Sequence, residues 1–189
     1  DANEQQMISP YIRGADEADA HPTVGDWLLV WRASGEVKRV LPRNNLFKRR
    51  AAGNGRGEQM IAANVDTLFI VASCNLDFNV GRIERYLVLA REVNVAPVII
   101  LTKIDLAERV EDYVSAVLGI DKNLTVEPIN GRDTDSVARL AKYCGHGQTV
   151  ALLGSSGVGK STLVNSLRGS QSIATQAVRE GDHSGRHTT

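Results

Sequence analysis

The chain lacks long apolar runs, an excess of charge of either sign, and all but two cysteines. None of its apolar runs approaches the ~20 residues of a membrane-spanning helix, so we expect no membrane contact. Its 22 basic and 22 acidic residues balance, so net charge predicts no partner. Cys74 and Cys144 suit reduced thiols better than a disulfide, and no secretory signal is recognisable at the N-terminus. These absences favour a cytoplasmic protein.

The most informative segment is Gly154 to Ser161, with the sequence G-S-S-G-V-G-K-S. It fits the phosphate-binding pattern G-x-x-x-x-G-K-[ST] without a mismatch. An apolar run at 149–153 precedes it and a helical pattern follows, which is the strand–loop–helix context that the motif requires. Glycines let backbone N–H groups turn toward phosphates, and the helix N-terminus adds the positive end of its dipole. We therefore predict that the chain binds a nucleoside triphosphate.

Two side chains of this loop have separate expected roles. Lys160 would reach the outer phosphates, and the Ser161 hydroxyl would ligate Mg²⁺. The nucleotide contacts predicted for this segment are Gly154, Ser155, Ser156, Gly157, Val158, Gly159, Lys160, Ser161 and Thr162.

A second motif, Thr102-Lys103-Ile104-Asp105, follows a buried-strand run at 98–101. It matches the [N/T]-K-x-D pattern of guanine-nucleotide proteins. Guanine presents N1–H and N2–H₂ as a paired donor edge that one carboxylate can accept, and adenine has no such edge. Asp105 would therefore select GTP over ATP, with the Lys103 stem along the base. Alone, the tetrapeptide could equally be a strand end and helix cap, but beside a phosphate-binding loop guanine is favoured.

The order of the two motifs is unusual, because ordinary small GTPases place the phosphate loop first and here Asp105 precedes Gly154. Parallel strands are joined by surface connections, so a sheet can be cut and rejoined elsewhere without moving its site. The order predicts a circularly permuted P-loop GTPase.

Strand and helix patterns alternate from Asp66 onward and predict an α/β fold with a mostly parallel, doubly wound sheet. The expected strands cover 67–72, 97–101, 125–129 and 149–153, and the expected helices 82–93, 110–118 and 137–143.

Further segments match a known family: Val24 to Trp27, Leu41 to Arg49, Ile61 to Asp66, Arg85 to Leu87 and Gly185 to Thr189. With the two nucleotide motifs they resemble the bacterial ribosome small-subunit-dependent GTPase A proteins, which are permuted assembly GTPases. The resemblance covers residues 22–189. It implies an N-terminal OB barrel, the permuted GTPase and a C-terminal zinc module. It also implies hydrolysis of GTP to GDP and phosphate as a switch in 30S subunit maturation.

The N-terminal part has too few strand patterns for a complete, five-stranded OB barrel. Two strand patterns, at 27–31 and 36–41, flank a Ser34-Gly35 turn, and residues 1–22 are expected to be only partly ordered. The glycine-rich segment 51–57 is the predicted linker. We therefore expect a partial, all-β, OB-like domain at 1–57 and the GTPase domain at 58–189.

The base-contacting turn departs from the common Ser-Ala and has Asn130-Gly131 instead. A backbone N–H from this turn could still meet the guanine O6. An ordinary strand-to-helix turn capped by Asp133 is an equally open interpretation.

In the family, the Gly-Arg-His-Thr-Thr stretch supplies the threonine that senses Mg²⁺ and the γ-phosphate. Thr188 and Thr189 are both candidates for this role, and with Lys160 they are the predicted catalytic residues. His183 and His187 lie in a glycine-broken loop, which disfavours a dedicated metal site. The D-x-x-G switch and the zinc cluster are absent before the last residue, so Zn²⁺ is expected only in a further C-terminal part. We expect nucleotide binding to survive better than hydrolysis.

Basic residues cluster between Lys38 and Arg56 with no acidic residue among them. They form either a solvated face or a surface for ribosomal RNA phosphates, as the resemblance implies. The candidates for RNA contact are Arg43, Lys48, Arg49 and Arg50.

The expected partners are the small (30S) subunit and its rRNA, without DNA, and the chain is expected to be a monomer. An alternative function is a nucleotide-gated RNA- or ribosome-binding module whose turnover is negligible in this chain by itself. A weaker third possibility is an ATP-using P-loop protein, against which the Thr102 to Asp105 motif argues.

Overall fold

The computed structural model describes residues 4–7, 21–50 and 58–169, with the backbone alone at 4–7 and Arg50. The chain divides into two units, Asp1–Val65 and Asp66–Thr189. The boundary therefore lies after Val65, whereas the glycine-rich segment predicts it after Gly57. The reason is strand pairing, because residues on both sides of 51–57 belong to one antiparallel pair. The predicted linker at 51–57 and most of residues 1–22 lie outside the described residues.

The first unit consists of antiparallel strands. Strands β1 (Glu4–Met7), β2 (Leu28–Trp31) and β3 (Val37–Val40) form one sheet in that order, and β4 (Leu46–Arg50) pairs with β5 (Glu58–Ala63) in another. The predicted strand pair around Ser34-Gly35 is present as β2 and β3. Strand β2 alternates, since Leu28 and Val30 are buried and Trp31 is exposed. This period of two buries one face of the strand, as expected for a sheet that covers a core on one side.

Asparagine side chains form hydrogen bonds with backbone groups next to β4 and β5 in the first unit. The Asn64 side chain donates to the Gly25 carbonyl at 3.0 Å and accepts from the Asn44 N–H at 2.9 Å. Asn45 pairs with the Val65 backbone in both directions, at 2.8 and 2.9 Å. Asn64 itself has a left-handed φ of 55°, a conformation that asparagine tolerates better than most residues. Amide groups thus satisfy backbone groups where the chain leaves the sheet.

The second unit is an α/β domain with one parallel sheet, as predicted. Strands β6 (Thr67–Ser73), β7 (Ala96–Thr102), β8 (Thr125–Pro128) and β9 (Val150–Leu153) lie in the order β8-β7-β6-β9. The helices are α1 (Val80–Glu92), α2 (Val110–Leu118), α3 (Thr134–Ala138) and α4 (Lys160–Arg168). The helix expected at 137–143 differs: α3 begins earlier, at the Asp133 cap, and continues as a 3₁₀ segment, Arg139–Tyr143.

The core of this unit lies on the two central strands. Every residue of β6 is buried, which explains its continuous apolar run, because a parallel strand between helices has no solvent face. Phe69 of β6 packs edge-to-face against Tyr143 with ring centroids 5.5 Å apart. Val158 and Leu163, which flank the start of α4, belong to the same buried cluster. The core therefore anchors the phosphate-binding segment at the carboxyl end of the sheet, where ligands of open α/β sheets bind.

Candidate nucleotide-binding site

The phosphate loop joins β9 to α4 and depends on its glycines. Gly157 and Gly159 have φ values of 76° and 101°, in the left-handed region that favours glycine. At Gly154, a Cβ atom would stand 2.4 Å from the Val71 carbonyl oxygen of β6, closer than any real contact. The predicted loop therefore has the expected strand–loop–helix form, and its first turn leads into the α4 N-terminus at Lys160.

The Lys160 ammonium lies across this loop. Its Nζ donates to the carbonyl oxygens of Gly154 at 2.8 Å and Ser155 at 2.5 Å. Burial lowers the pKa of Lys160 below its ordinary value, because a half-buried ammonium loses hydration that neutral carbonyls replace only in part. An anionic phosphate beside it would offset that loss.

Thr102, the first residue of the base motif, ties β7 to the phosphate loop. It is 2% exposed, and its hydroxyl donates to the Val158 carbonyl at 2.5 Å, with the Ala72 carbonyl at 3.3 Å. We predicted Thr102 as a nucleotide contact. The structure buries its hydroxyl against protein backbone, so its contribution to the site is to position the loop.

Lys103 and Asp105 follow at the exposed end of β7. Lys103 has a left-handed φ of 58° and precedes the 3₁₀ turn Ile104–Leu106, whose Asp105 is exposed to solvent. The Lys103 Nζ is buried and has no hydrogen-bond partner among the described residues. Burial lowers the pKa of Lys103, while the nearby Asp77 and Asp105 carboxylates act in the opposite direction. A buried ammonium without an acceptor fits a site in which a nucleotide supplies the missing oxygen.

The turn after β8 has the contacts of the ordinary capped turn, and its contact with the base stays a prediction. Asp133 caps α3 by accepting from two backbone N–H groups at 3.3 Å, and the Asn130 side chain accepts from the Arg132 N–H at 3.0 Å. The Gly131 carbonyl in turn accepts from the Ser166 hydroxyl of α4 at 2.7 Å. The turn is therefore an ordinary capped one that is also tied to the helix of the phosphate loop.

The predicted magnesium and catalytic residues are only partly covered by the described residues. Ser161 lies half-buried in the first turn of α4, directly after Lys160. Thr188, Thr189, His183 and His187 lie outside the described residues. Within the described ranges, no group of three or more His, Cys, Asp or Glu side chains could hold a metal ion. Ser161 is thus the one predicted Mg²⁺ ligand that has a described position.

Two contacts that shape the site were missed by sequence reasoning. One joins Thr102 to Val158, 56 residues apart, and the other joins Arg82 of α1 to Ser155, 73 residues apart. No local pattern signals such pairs, since each depends on how separate strands and helices pack.

The basic segment of the first unit is largely paired within that unit. Arg43 is 12% exposed, and its Nε and Nη2 each lie 2.7 Å from the carboxylate of Asp26, which is 1% exposed. The prediction that Arg43 contacts RNA is therefore wrong, because this guanidinium forms a buried ion pair with Asp26. The half-buried Lys48 lies 3.2 Å from Glu58, and the exposed Arg49 donates to Gln59 at 2.9 Å. The Arg50 side chain is outside the described residues.

The described residues include no helix with both the length and the apolarity needed to cross a membrane. The second unit combines a parallel sheet with a base motif that precedes the phosphate loop along the chain. This is the architecture of a circularly permuted P-loop GTPase. The model of the RsgA GTPase family matches residues 40–189. The chain belongs to the RsgA GTPase family.

Individual relatives agree with this assignment. The chain is 53% identical over 167 residues to the small ribosomal subunit biogenesis GTPase RsgA 2 of Vibrio parahaemolyticus, covering 88% of this chain and 46% of that protein. It is 54% identical over 169 residues to the small ribosomal subunit biogenesis GTPase RsgA of Mesorhizobium japonicum, covering 88% and 49%. The chain thus spans about half the length of the curated relatives it matches.

Solved structures show the same fold. The crystal structure of YjeQ from Thermotoga maritima aligns with a TM-score of 0.62 at 22% identity, over 86% of this chain and 58% of that one. The structure of YloQ, described as a circularly permuted GTPase, aligns with a TM-score of 0.56 at 24% identity, over 77% and 49%.

Proposed function

We propose that this chain is the guanine-nucleotide-binding part of a GTPase that hydrolyses GTP to GDP and phosphate as a switch in 30S subunit maturation. The observation that carries the proposal is the junction of the two nucleotide motifs. The Thr102 hydroxyl of the base motif is bonded to Val158 of the phosphate loop at 2.5 Å, within one α/β unit. The relatives named as small ribosomal subunit biogenesis GTPases supply the biological setting.

Each group of the site has a distinct role in this proposal. Backbone N–H groups of the loop and the α4 N-terminus would bind the phosphate oxygens, and Lys160 would turn its ammonium from the loop carbonyls to the outer phosphates. Asp105 is exposed and thus available to accept the two guanine donors. Ser161, with Thr188 or Thr189, would hold Mg²⁺. When bound, this ion neutralises charge on the β- and γ-phosphate oxygens.

The proposed partner is the small ribosomal subunit with its rRNA, and the proposed state is a cytoplasmic monomer. Of the basic candidates, Lys48, Arg49 and Arg50 remain for phosphate contact. Lys48 is half-buried with Glu58 3.2 Å away, and the exposed Arg49 donates to Gln59 at 2.9 Å. A solvent-facing ion pair such as Lys48 with Glu58 contributes little, about 0–1 kcal/mol, so an RNA phosphate could compete with Glu58 for Lys48. Arg43 is excluded by its buried pair with Asp26.

The test is a titration of GTP, GDP and ATP with the chain in Mg²⁺, together with phosphate release with and without 30S subunits. We expect GTP and GDP to bind at least about 30-fold more tightly than ATP, because a bidentate charge-assisted contact is worth about 2–3 kcal/mol. Equal affinity for ATP would contradict the guanine assignment. Tight GTP binding by this chain with negligible phosphate release would support the binding-module alternative instead.

A further inference from the structure

We propose that Arg82 is a positioning residue of the phosphate loop. It holds Ser155 in place whether a nucleoside diphosphate or a nucleoside triphosphate is bound. Arg82 lies in the first turn of α1, an element that neither nucleotide motif includes. Its Nη1 donates to the Ser155 hydroxyl and, at 2.9 Å, to a carboxylate oxygen of Asp77. Asp77 precedes α1 and thus fixes the direction of the guanidinium.

Ser155 is held from two sides. Its hydroxyl accepts from Arg82, and its carbonyl accepts from the Lys160 ammonium at 2.5 Å. If Lys160 turns toward a bound phosphate, the carbonyl loses that donor, whereas the hydroxyl contact to Arg82 persists. Arg82 is thus the contact that can keep Ser155 in position while the nucleotide is bound.

The loop needs such contacts because it is rich in glycine. Gly157 and Gly159 have left-handed φ values, and glycine loses more backbone freedom on ordering than any other residue. Side chains of α1 and β7 also anchor the loop, since Arg82 holds Ser155 and Thr102 holds Val158. A loop that is already ordered binds its ligand with a smaller entropic cost.

The geometry favours positioning over direct contact with the γ-phosphate. The Arg82 and Asp77 side chains are only 30% and 28% exposed, and the same Nη1 contacts both Asp77 and Ser155. A group that orders the loop helps every nucleotide that the loop binds. A group that touches the γ-phosphate would favour the triphosphate alone.

The inference rests on the proposed nucleotide site but not on its choice of base. The experiment measures dissociation constants for GDP, GTP, ADP and ATP in Mg²⁺ by fluorescence titration. The variants are Arg82→Ala, Arg82→Lys, Ser155→Ala and the Arg82→Ala/Ser155→Ala double variant. Arg91→Ala is the matched control, because it removes the same charge from the same helix and Arg91 is itself exposed, paired with Asp121 at 3.2 Å.

We expect Arg82→Ala to weaken the diphosphate and the triphosphate by the same factor, about tenfold, as for a hydrogen bond to a charged group. Arg82→Lys should recover part of this loss. The double variant should be no weaker than the weaker single variant, because both remove one contact. Arg91→Ala should bind like the wild type.

Three results would overturn the inference: wild-type affinity in Arg82→Ala, additive losses in the double variant, or a loss confined to the triphosphate. If the wild type prefers ATP, the proposed function is contradicted but the Arg82 inference is not. The effect of Arg82→Ala is then measured with ADP and ATP. A wild type that binds no nucleotide would overturn both.

Discussion

Thr102→Val tests whether the base motif and the phosphate loop form one unit. Valine has nearly the shape of threonine, so the substitution removes the hydroxyl without creating a cavity. The hydroxyl is 2.5 Å from the Val158 carbonyl, in a residue that is 2% exposed. The loss therefore leaves a buried acceptor without its donor, which costs about 1–2 kcal/mol in the free energy of unfolding. Because this bond also anchors the loop, affinity for GDP and GTP should fall, by at most about 5- to 30-fold.

The assay combines urea unfolding with nucleotide titration on the same preparations. Thr102→Ser is the conservative control, because it keeps the hydroxyl and should keep most of the affinity. Thr125→Val makes the same change at an exposed position of β8 and should alter neither measurement. If Thr102→Val unfolds and binds nucleotide like the wild type, the bond between the two motifs has no energetic role and our account of the site is wrong.

Three further predictions concern base, phosphates and partner. Asp105→Asn should weaken GTP by about 2–3 kcal/mol and favour xanthosine nucleotides, and unchanged GTP affinity in a competition titration would remove Asp105 from the base site. Lys160→Ala should weaken GDP and GTP with or without metal, whereas Ser161→Ala should mainly reduce the Mg²⁺ dependence; wild-type binding by Lys160→Ala would refute the loop assignment. Lys48→Ala with Arg49→Ala should reduce the log–log salt slope of 30S binding by about 0.7–0.9 per phosphate contact without altering nucleotide affinity. Equal salt slopes for the variant and the wild type would mean that Lys48 and Arg49 form a solvated face and do not contact RNA.

The sequence was most informative where structure depends on neighbouring residues. The phosphate loop requires backbone torsions that glycine adopts readily, and these residues stand together in Gly154 to Ser161. The four strands of the second unit were expected from apolar runs, and all four are present. The base motif precedes the phosphate loop along the chain, and this order was enough to predict the circular permutation. The connections between strands can be moved while the sheet stays the same.

The first unit was predicted less well, for a physical reason. The segment at 51–57 has the composition of a linker, but the strands on either side of it pair with each other, so the boundary falls after Val65. The stretch from Lys38 to Arg56 contains no acidic residue, yet Asp26 and Glu58 lie beside Arg43 and Lys48 once the chain folds. Composition counts charges along the chain, whereas an ion pair depends on which residues lie close together after folding.

The sequence by itself therefore determined the fold class, the loop and the two nucleotide motifs, since each rests on local periodicity or on a short contiguous pattern. Only the tertiary structure decided that Thr102 supports the loop, that Arg82 contacts Ser155 and that Arg43 is buried with Asp26. Each of these roles depends on which polar group lies within about 3 Å of another. That distance is set by strand register and helix packing over many residues, and no local pattern records it.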